Sequence, residues 1–276
     1  MERNFMQLLK ARHDKGLRVC VGLDPVLDKI PEHITRGAGG PARAFQFFCC
    51  EIVDATKDYA LAYKPNSAFF EALGPDGIHA LRAVIAYIKK VAPEVPVIYD
   101  AKRADIGTSN LGYVKSAFDF LGADAITVHP YMGKESLEVF FSYGNKGIFV
   151  LCRTSNPGAG EFQDLEIIGS DRPLYQYVAA HVANKWNYNR NCALVIGATA
   201  PEELAKVRKI IGPDMPILIP GIGAQGGDIE KTVKAGGSNI IVNLSRSVLY
   251  ASSGEDFAEA ARKEVLRVTE EIQKYL

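Results

Sequence analysis

Short runs of Val, Ile, Leu and Ala alternate along the chain with longer stretches in which apolar residues recur every three or four positions. The short runs are Arg18–Leu23, Leu61–Lys64, Val97–Lys102, Ala125–His129, Gly147–Cys152, Ala193–Gly197, Ile217–Pro220 and Asn239–Asn243. They are apolar on both faces, as strands of a parallel sheet covered on both sides are. Among the longer stretches, Ala42–Asp58 sets Phe45, Phe48, Ile52 and Ala55 on one helical face. Other helical patterns begin near Asp76, Ser109, Lys134, Pro173, Pro201 and Asp228, and Glu255–Leu276 closes the chain. Pro201 followed by two glutamates favours a helix start, with Pro in the first turn and acids at the positive end. Strict strand–helix alternation predicts an α/β chain folded as a single (β/α)8 TIM barrel over residues 1–276, with a short helical extension at its N-terminus. A doubly wound open sheet is the competing architecture, and no shift of composition marks a second domain.

Two connections are long. Pro25–Gly40 follows the first strand and Arg153–Pro173 the fifth. Long loops of this kind are often lids or binding loops, and after strands of a barrel both fall on the active-site face.

Composition narrows the function. Hydrophobic residues make up 47% and charged residues 23%, a globular balance, and 32 basic residues offset 32 acidic ones. With no basic tract, nucleic acid and anionic membranes are not expected partners. A small anion remains open, because a few placed cations suffice for one. Five cysteines, odd in number and without a CxxC pair, read as free thiols in a reducing compartment. The opening Met-Glu-Arg-Asn-Phe-Met-Gln carries no signal-peptide stretch, and no segment approaches the roughly 20 apolar residues of a membrane span. A cytoplasmic protein acting on a small molecule is expected.

Strand C-terminal ends face the active site of a barrel. Here they supply Asp24, Lys64, Asp100 with Lys102, His129, Thr154 with Ser155, Gly221–Gly227, and Ser245 with Arg246. Asp100 and Lys102, two residues apart, share the face that turns inward. Asp105 lies just beyond, before the next helix. With Lys64 at the end of the adjacent strand, two lysines and two or three carboxylates would share a small cavity. Alone, the strand-3 pair also admits a second, less favoured reading as a structural ion pair capping the barrel mouth. After strand 7, Pro220-Gly221-Ile222-Gly223-Ala224-Gln225-Gly226-Gly227 matches GxGxxG, but in the penultimate unit, and the position where a ribose-binding acid belongs is Arg246. The pattern better suits a phosphate held by the loops after strands 7 and 8, with Arg246 gripping it. His129 has no second histidine with which to form a metal pair, and Cys152 has no histidine beside it.

Together these segments resemble the orotidine 5′-monophosphate decarboxylase family, in its longer bacterial subgroup. The resemblance rests on Val21-Gly22-Leu23-Asp24-Pro25, Tyr63-Lys64-Pro65-Asn66, Asp100-Ala101-Lys102-Arg103-Ala104-Asp105-Ile106, Thr154-Ser155-Asn156-Pro157-Gly158, Pro220–Gly227 and Ser245-Arg246-Ser247. It implies a cofactor-free decarboxylation with no metal, in which Lys64, Asp100, Lys102 and Asp105 form a charge network and Lys102 delivers a proton to pyrimidine C6. It also implies that Asp24 bonds the ribose, Ser155 contacts the base, and Ile106 and Pro220 line the pocket near it. Gln225, Gly226 and Arg246 would take the phosphate. A homodimer follows, with Asp105 entering the neighbouring subunit's site and Ser109 contacting the ribose from there. The segment between Thr154 and Pro173 is longer than in compact relatives.

Three rivals stand beside this reading. Sugar-phosphate epimerases and hexulose-phosphate synthases share a related strand-3 pattern but need a metal. A Schiff-base aldolase would need a neutral lysine, which Asp100 disfavours. A non-catalytic phosphate-binding barrel would be expected to lack an acid or lysine of the network.

Overall fold

The computed structural model describes residues 3–223 and 226–276. Eight parallel strands form its barrel: β1 Val19–Leu23, β2 Ala62–Pro65, β3 Ile98–Arg103, β4 Ala125–Val128, β5 Gly147–Arg153, β6 Cys192–Ile196, β7 Ile217–Pro220 and β8 Ile240–Leu244. Their order is β2-β1-β8-β7-β6-β5-β4-β3. Bridges from Tyr63 to Val97 and from Asn66 to Asp100 join β2 to β3 and bring the ends of the sheet together. The expected (β/α)8 barrel is therefore the fold, and each strand lies within a residue or so of its expected position.

Side chains alternate as a closed sheet requires. Val19, Val21 and Leu23 of β1 point outward to the helices, while Cys20 points in with Ala62, Ile98, Ala125, Phe149, Ala193 and Ile241. Those inward residues fill the barrel floor. Helix α1 (Phe5–His13) closes the N-terminal end from below, with Phe5 edge-on to Phe149 at 5.5 Å between ring centres. Gly147 makes this possible, since a Cβ there would lie 2.4 Å from the Phe5 ring. Arg3 straps the arm down by a two-pronged bond to buried Asp124, at 2.9 and 2.7 Å. The bottom of the barrel is thus plugged by apolar side chains, and the cavity opens at the top.

Neither long connection is structureless. Pro25–Gly40 contains a 3-10 turn, Leu27–Lys29, and a helix, Glu32–Ala38. Arg153–Pro173 contains a turn at Pro157–Ala159, a short helix at Gly160–Gln163, and an antiparallel ribbon pairing Glu166–Ile167 with Arg172–Pro173. Arg153, bound to Asp164 at 2.8 Å, ties this excursion back to its strand. Among the described residues no helix is long and apolar enough to cross a membrane.

Candidate active site

The layer of inward residues above the floor changes character. Lys64, Asp100, Thr127 and Asn243 continue the positions of Ala62, Ile98, Ala125 and Ile241 two residues further on, where strand periodicity keeps them inward. With Leu151 and Val195 they line a cavity of about 570 Å³ at the C-terminal mouth. Asp24, Ser155, Pro220 and Arg246 line it too, as does Lys29 from the turn after β1.

The cavity is organised around the Asp100 carboxylate. Lys64 donates to its Oδ2 at 2.9 Å, while Lys102 and the Thr127 hydroxyl donate to its Oδ1 at 2.6 and 2.9 Å. Burial would push Asp100 toward its neutral form, but the Lys64 and Lys102 charges outweigh it and hold the carboxyl well below the usual range. Burial likewise disfavours the Lys64 ammonium, and Asp100 and Asp24 reverse this, holding it protonated above the usual lysine range. Asp100 and Lys64 are therefore both charged at neutral pH. Lys102 itself has φ 48°, a left-handed backbone that costs a non-glycine residue about 1 kcal/mol.

Around this centre stand acceptors without partners. Asp24 Oδ1 and Asn243 Oδ1 are buried and bond to nothing among the described residues. Tyr250 fixes the backbone beside Asp24, donating to the Asp24 carbonyl at 3.1 Å and accepting from Val26 N–H at 2.8 Å. Gly22 lets strand 8 close over strand 1, because a Cβ there would fall 1.9 Å from the Ser245 hydroxyl. Next to that serine, Arg246 reaches the rim and makes no ion pair among the described residues. No group of three or more His, Cys, Asp and Glu among them is placed to hold a metal ion.

Three of the expected site residues lie elsewhere within a single subunit. Asp105, Ile106 and Ser109 are outside the cavity. The left-handed turn at Lys102 carries the chain away, so that Asp105 and Ser109 line a separate surface depression with Glu71, Arg103 and Tyr113, and Ile106 is 58% exposed. Gly226, expected on the phosphate side, donates its N–H to the Gly223 carbonyl at 2.9 Å. Gln225 lies outside the described residues. Conversely, sequence reasoning passed over Thr127, Asn243 and Lys29. The first two were within reach of strand periodicity, which sets them level with Lys64 and Asp100.

A barrel plugged at its N-terminal end, with a lysine–carboxylate–lysine chain at its C-terminal mouth, places this protein among the (β/α)8-barrel enzymes. Residues 17–263 match the model of the Orotidine 5'-phosphate decarboxylase / HUMPS family. Over 263 residues, 94% of either chain, the protein is 48% identical to the orotidine 5'-phosphate decarboxylase of Janthinobacterium sp. (strain Marseille). Its fold matches the OMP decarboxylase of Leishmania donovani with TM-score 0.81 and 38% identity, over 96% of this chain and 98% of that one. It also matches the Leishmania donovani UMP synthase (TM-score 0.84, 40% identity), covering 97% of this chain and spanning 57% of the length of that one. The chain belongs to the orotidine 5'-phosphate decarboxylase family and groups within it with the carboxy-lyases.

Proposed function

We propose that the protein converts orotidine 5′-monophosphate to uridine 5′-monophosphate and CO2, the last step of de novo pyrimidine nucleotide synthesis, in the cytoplasm and without a cofactor. The observation that carries this is the Asp100 carboxylate shared between Lys64 and Lys102 at the barrel mouth.

The C6–carboxylate bond breaks and its electron pair stays on C6. Asp100, kept ionised, lies against the substrate carboxylate, a like-charge contact relieved as CO2 departs. The Lys102 ammonium faces the charge growing at C6, stabilises it, and then gives it a proton. Its side chain is 48% exposed, so solvent can return that proton, whereas Lys64, at 4%, holds Asp100 in place. Asp24 takes a ribose hydroxyl on its free Oδ1. Ser155 meets the base, Pro220 walls it, and Arg246 with Gln225 holds the phosphate, whose binding energy far from the reacting bond helps fix the charged groups. Asp105 acts in a homodimer, entering the neighbouring copy's site together with Ile106 and Ser109. The position of these three outside their own cavity, with Ile106 and Ser109 exposed and Asp105 half-buried, supports that arrangement.

CO2 release from orotidine 5′-monophosphate, assayed with and without EDTA, tests this reading. The wild type should release CO2 in both, and Lys102→Ala should not. An inactive wild type, activity lost to the chelator, or an unaffected variant would sink it.

A further inference from the structure

Strands β3 and β4 pair Ile98 with Ala125 and Tyr99 with Ile126, and the ladder then resumes at Arg103 with Val128. Three residues of β3, namely Asp100, Ala101 and Lys102, therefore lie opposite one residue of β4, Thr127. Extra residues at such a bulge leave ladder N–H groups without strand partners. Here one side chain takes them up. Thr127 Oγ1 accepts from Ala101 N–H at 3.0 Å and from Lys102 N–H at 2.9 Å, and gives its own proton to Asp100 Oδ1 at 2.9 Å. The residue is 1% exposed, and its hydroxyl has used its one donor and both lone pairs.

We infer that Thr127 is a positioning residue for the decarboxylation, fixing through one hydroxyl both the rotation of the Asp100 carboxylate and the left-handed backbone of Lys102. This rests on the function proposed above. The two contacts are coupled. If Asp100 turns, the oxygen that Lys102 meets at 2.6 Å moves. If the Lys102 backbone leaves φ 48°, its side chain projects elsewhere. Valine has the shape of threonine but can do neither task, and it leaves two part-buried N–H groups without their acceptor. Serine keeps the hydroxyl. The groups positioned act on the breaking bond, while Arg246 and Asp24 bind remote parts of the substrate. The loss should therefore fall on kcat rather than KM.

Steady-state kinetics and melting curves of Thr127→Val, Thr127→Cys and Thr127→Ser test this, with crystal structures of the wild type and Thr127→Val. Valine should lower kcat roughly 10- to 100-fold with KM within about threefold, since small misplacements of reacting groups have effects of that size. Cysteine, with a weaker donor and acceptor, should fall between, and serves if the valine variant does not fold. Serine should stay within about threefold of wild type. The Lys102 φ should leave the left-handed region in Thr127→Val. A kcat unchanged by valine or cysteine overturns the inference, as does a serine variant that folds yet falls as far as valine. If the wild type does not decarboxylate the nucleotide, the proposed function fails, while the Lys102 φ still reports on whether Thr127 sets the backbone. An unchanged φ then overturns the positioning role as well.

Discussion

The ammonium of Lys64 lies 2.9 Å from Oδ2 of Asp100, and both side chains are nearly sealed from solvent, at 4% and 10% exposure. Lys102 meets the other oxygen of the same carboxylate at 2.6 Å but keeps 48% of its side chain exposed. One carboxylate thus serves two lysines in different surroundings. Breaking a buried pair strands a charge in a poor solvent, while a partly exposed partner is replaced by water.

The two lysines should therefore fail differently. Lys64→Ala leaves Asp100 buried without its inner partner, and should lower stability by about 3 kcal/mol as well as activity. Lys102→Ala should melt close to wild type while decarboxylation falls by roughly a thousandfold or more. Calorimetry beside CO2 release separates them. Equal melting temperatures for the two variants would contradict the distinction.

Arg246 stands at the rim with no carboxylate of its own among the described residues, so its charge is available to a phosphate. Removing a charge-assisted contact of this kind weakens binding by about 1.5–3 kcal/mol. Arg246→Ala should raise KM for orotidine 5′-monophosphate roughly 10- to 100-fold. It should leave the slow turnover of orotidine, which lacks the phosphate, unchanged. A variant impaired equally on both substrates would place Arg246 in some other role.

Much of this arrangement was legible in the chain, and what escaped did so for identifiable reasons. Val- and Ile-rich runs located the strands because nothing competes with β structure in them. Asp100, Lys102 and Lys64 stood out because charges ending apolar strands are costly unless used. Thr127 in Ala125-Ile126-Thr127-Val128 looks like any β-branched strand residue, and its value lies in a bulge on the neighbouring strand that no local pattern announces. The path of Asp105–Ser109 depends on a positive φ at a lysine, where sequence favours a negative one. Helix Glu32–Ala38 and the ribbon at Glu166 and Arg172 are too short for periodicity to register.

Because Asp105 faces away from its own cavity, two dead variants should rescue each other. A mixture of Lys102→Ala and Asp105→Ala subunits, unfolded and refolded together, yields hybrid dimers in which one site carries both lesions and the other neither. With random pairing, activity should return to roughly a quarter of wild type, given a two-fold dimer. Each variant refolded alone should stay inactive. No recovery in a mixture shown to contain hybrids would mean that Asp105 does not act across a subunit boundary.

Acid sensitivity should arise partly at the other end of the barrel, far from the catalytic charges. His13, in the last turn of α1, places Nε2 3.0 Å from the Ile240 carbonyl at the start of β8. Burial, reinforced by the nearby Arg18 charge, lowers its pKa to about 4, from an ordinary value near 6.5. Neutral His13 can donate to that carbonyl, and the unfolded chain has no such constraint. Between pH 4 and 6.5 the unfolded chain therefore binds a proton that the folded one does not, so stability should fall as pH drops through this window and be fully present above it. The contribution is on the order of 2 kcal/mol for a partly exposed group shifted this far. His13→Gln keeps a donor for Ile240 but cannot titrate, so its melting temperature should decline less steeply from pH 6.5 to 4 than that of wild type. Carboxylates titrate alike in both proteins, which leaves the difference in slope to His13. Parallel curves would remove the histidine from the account of acid stability.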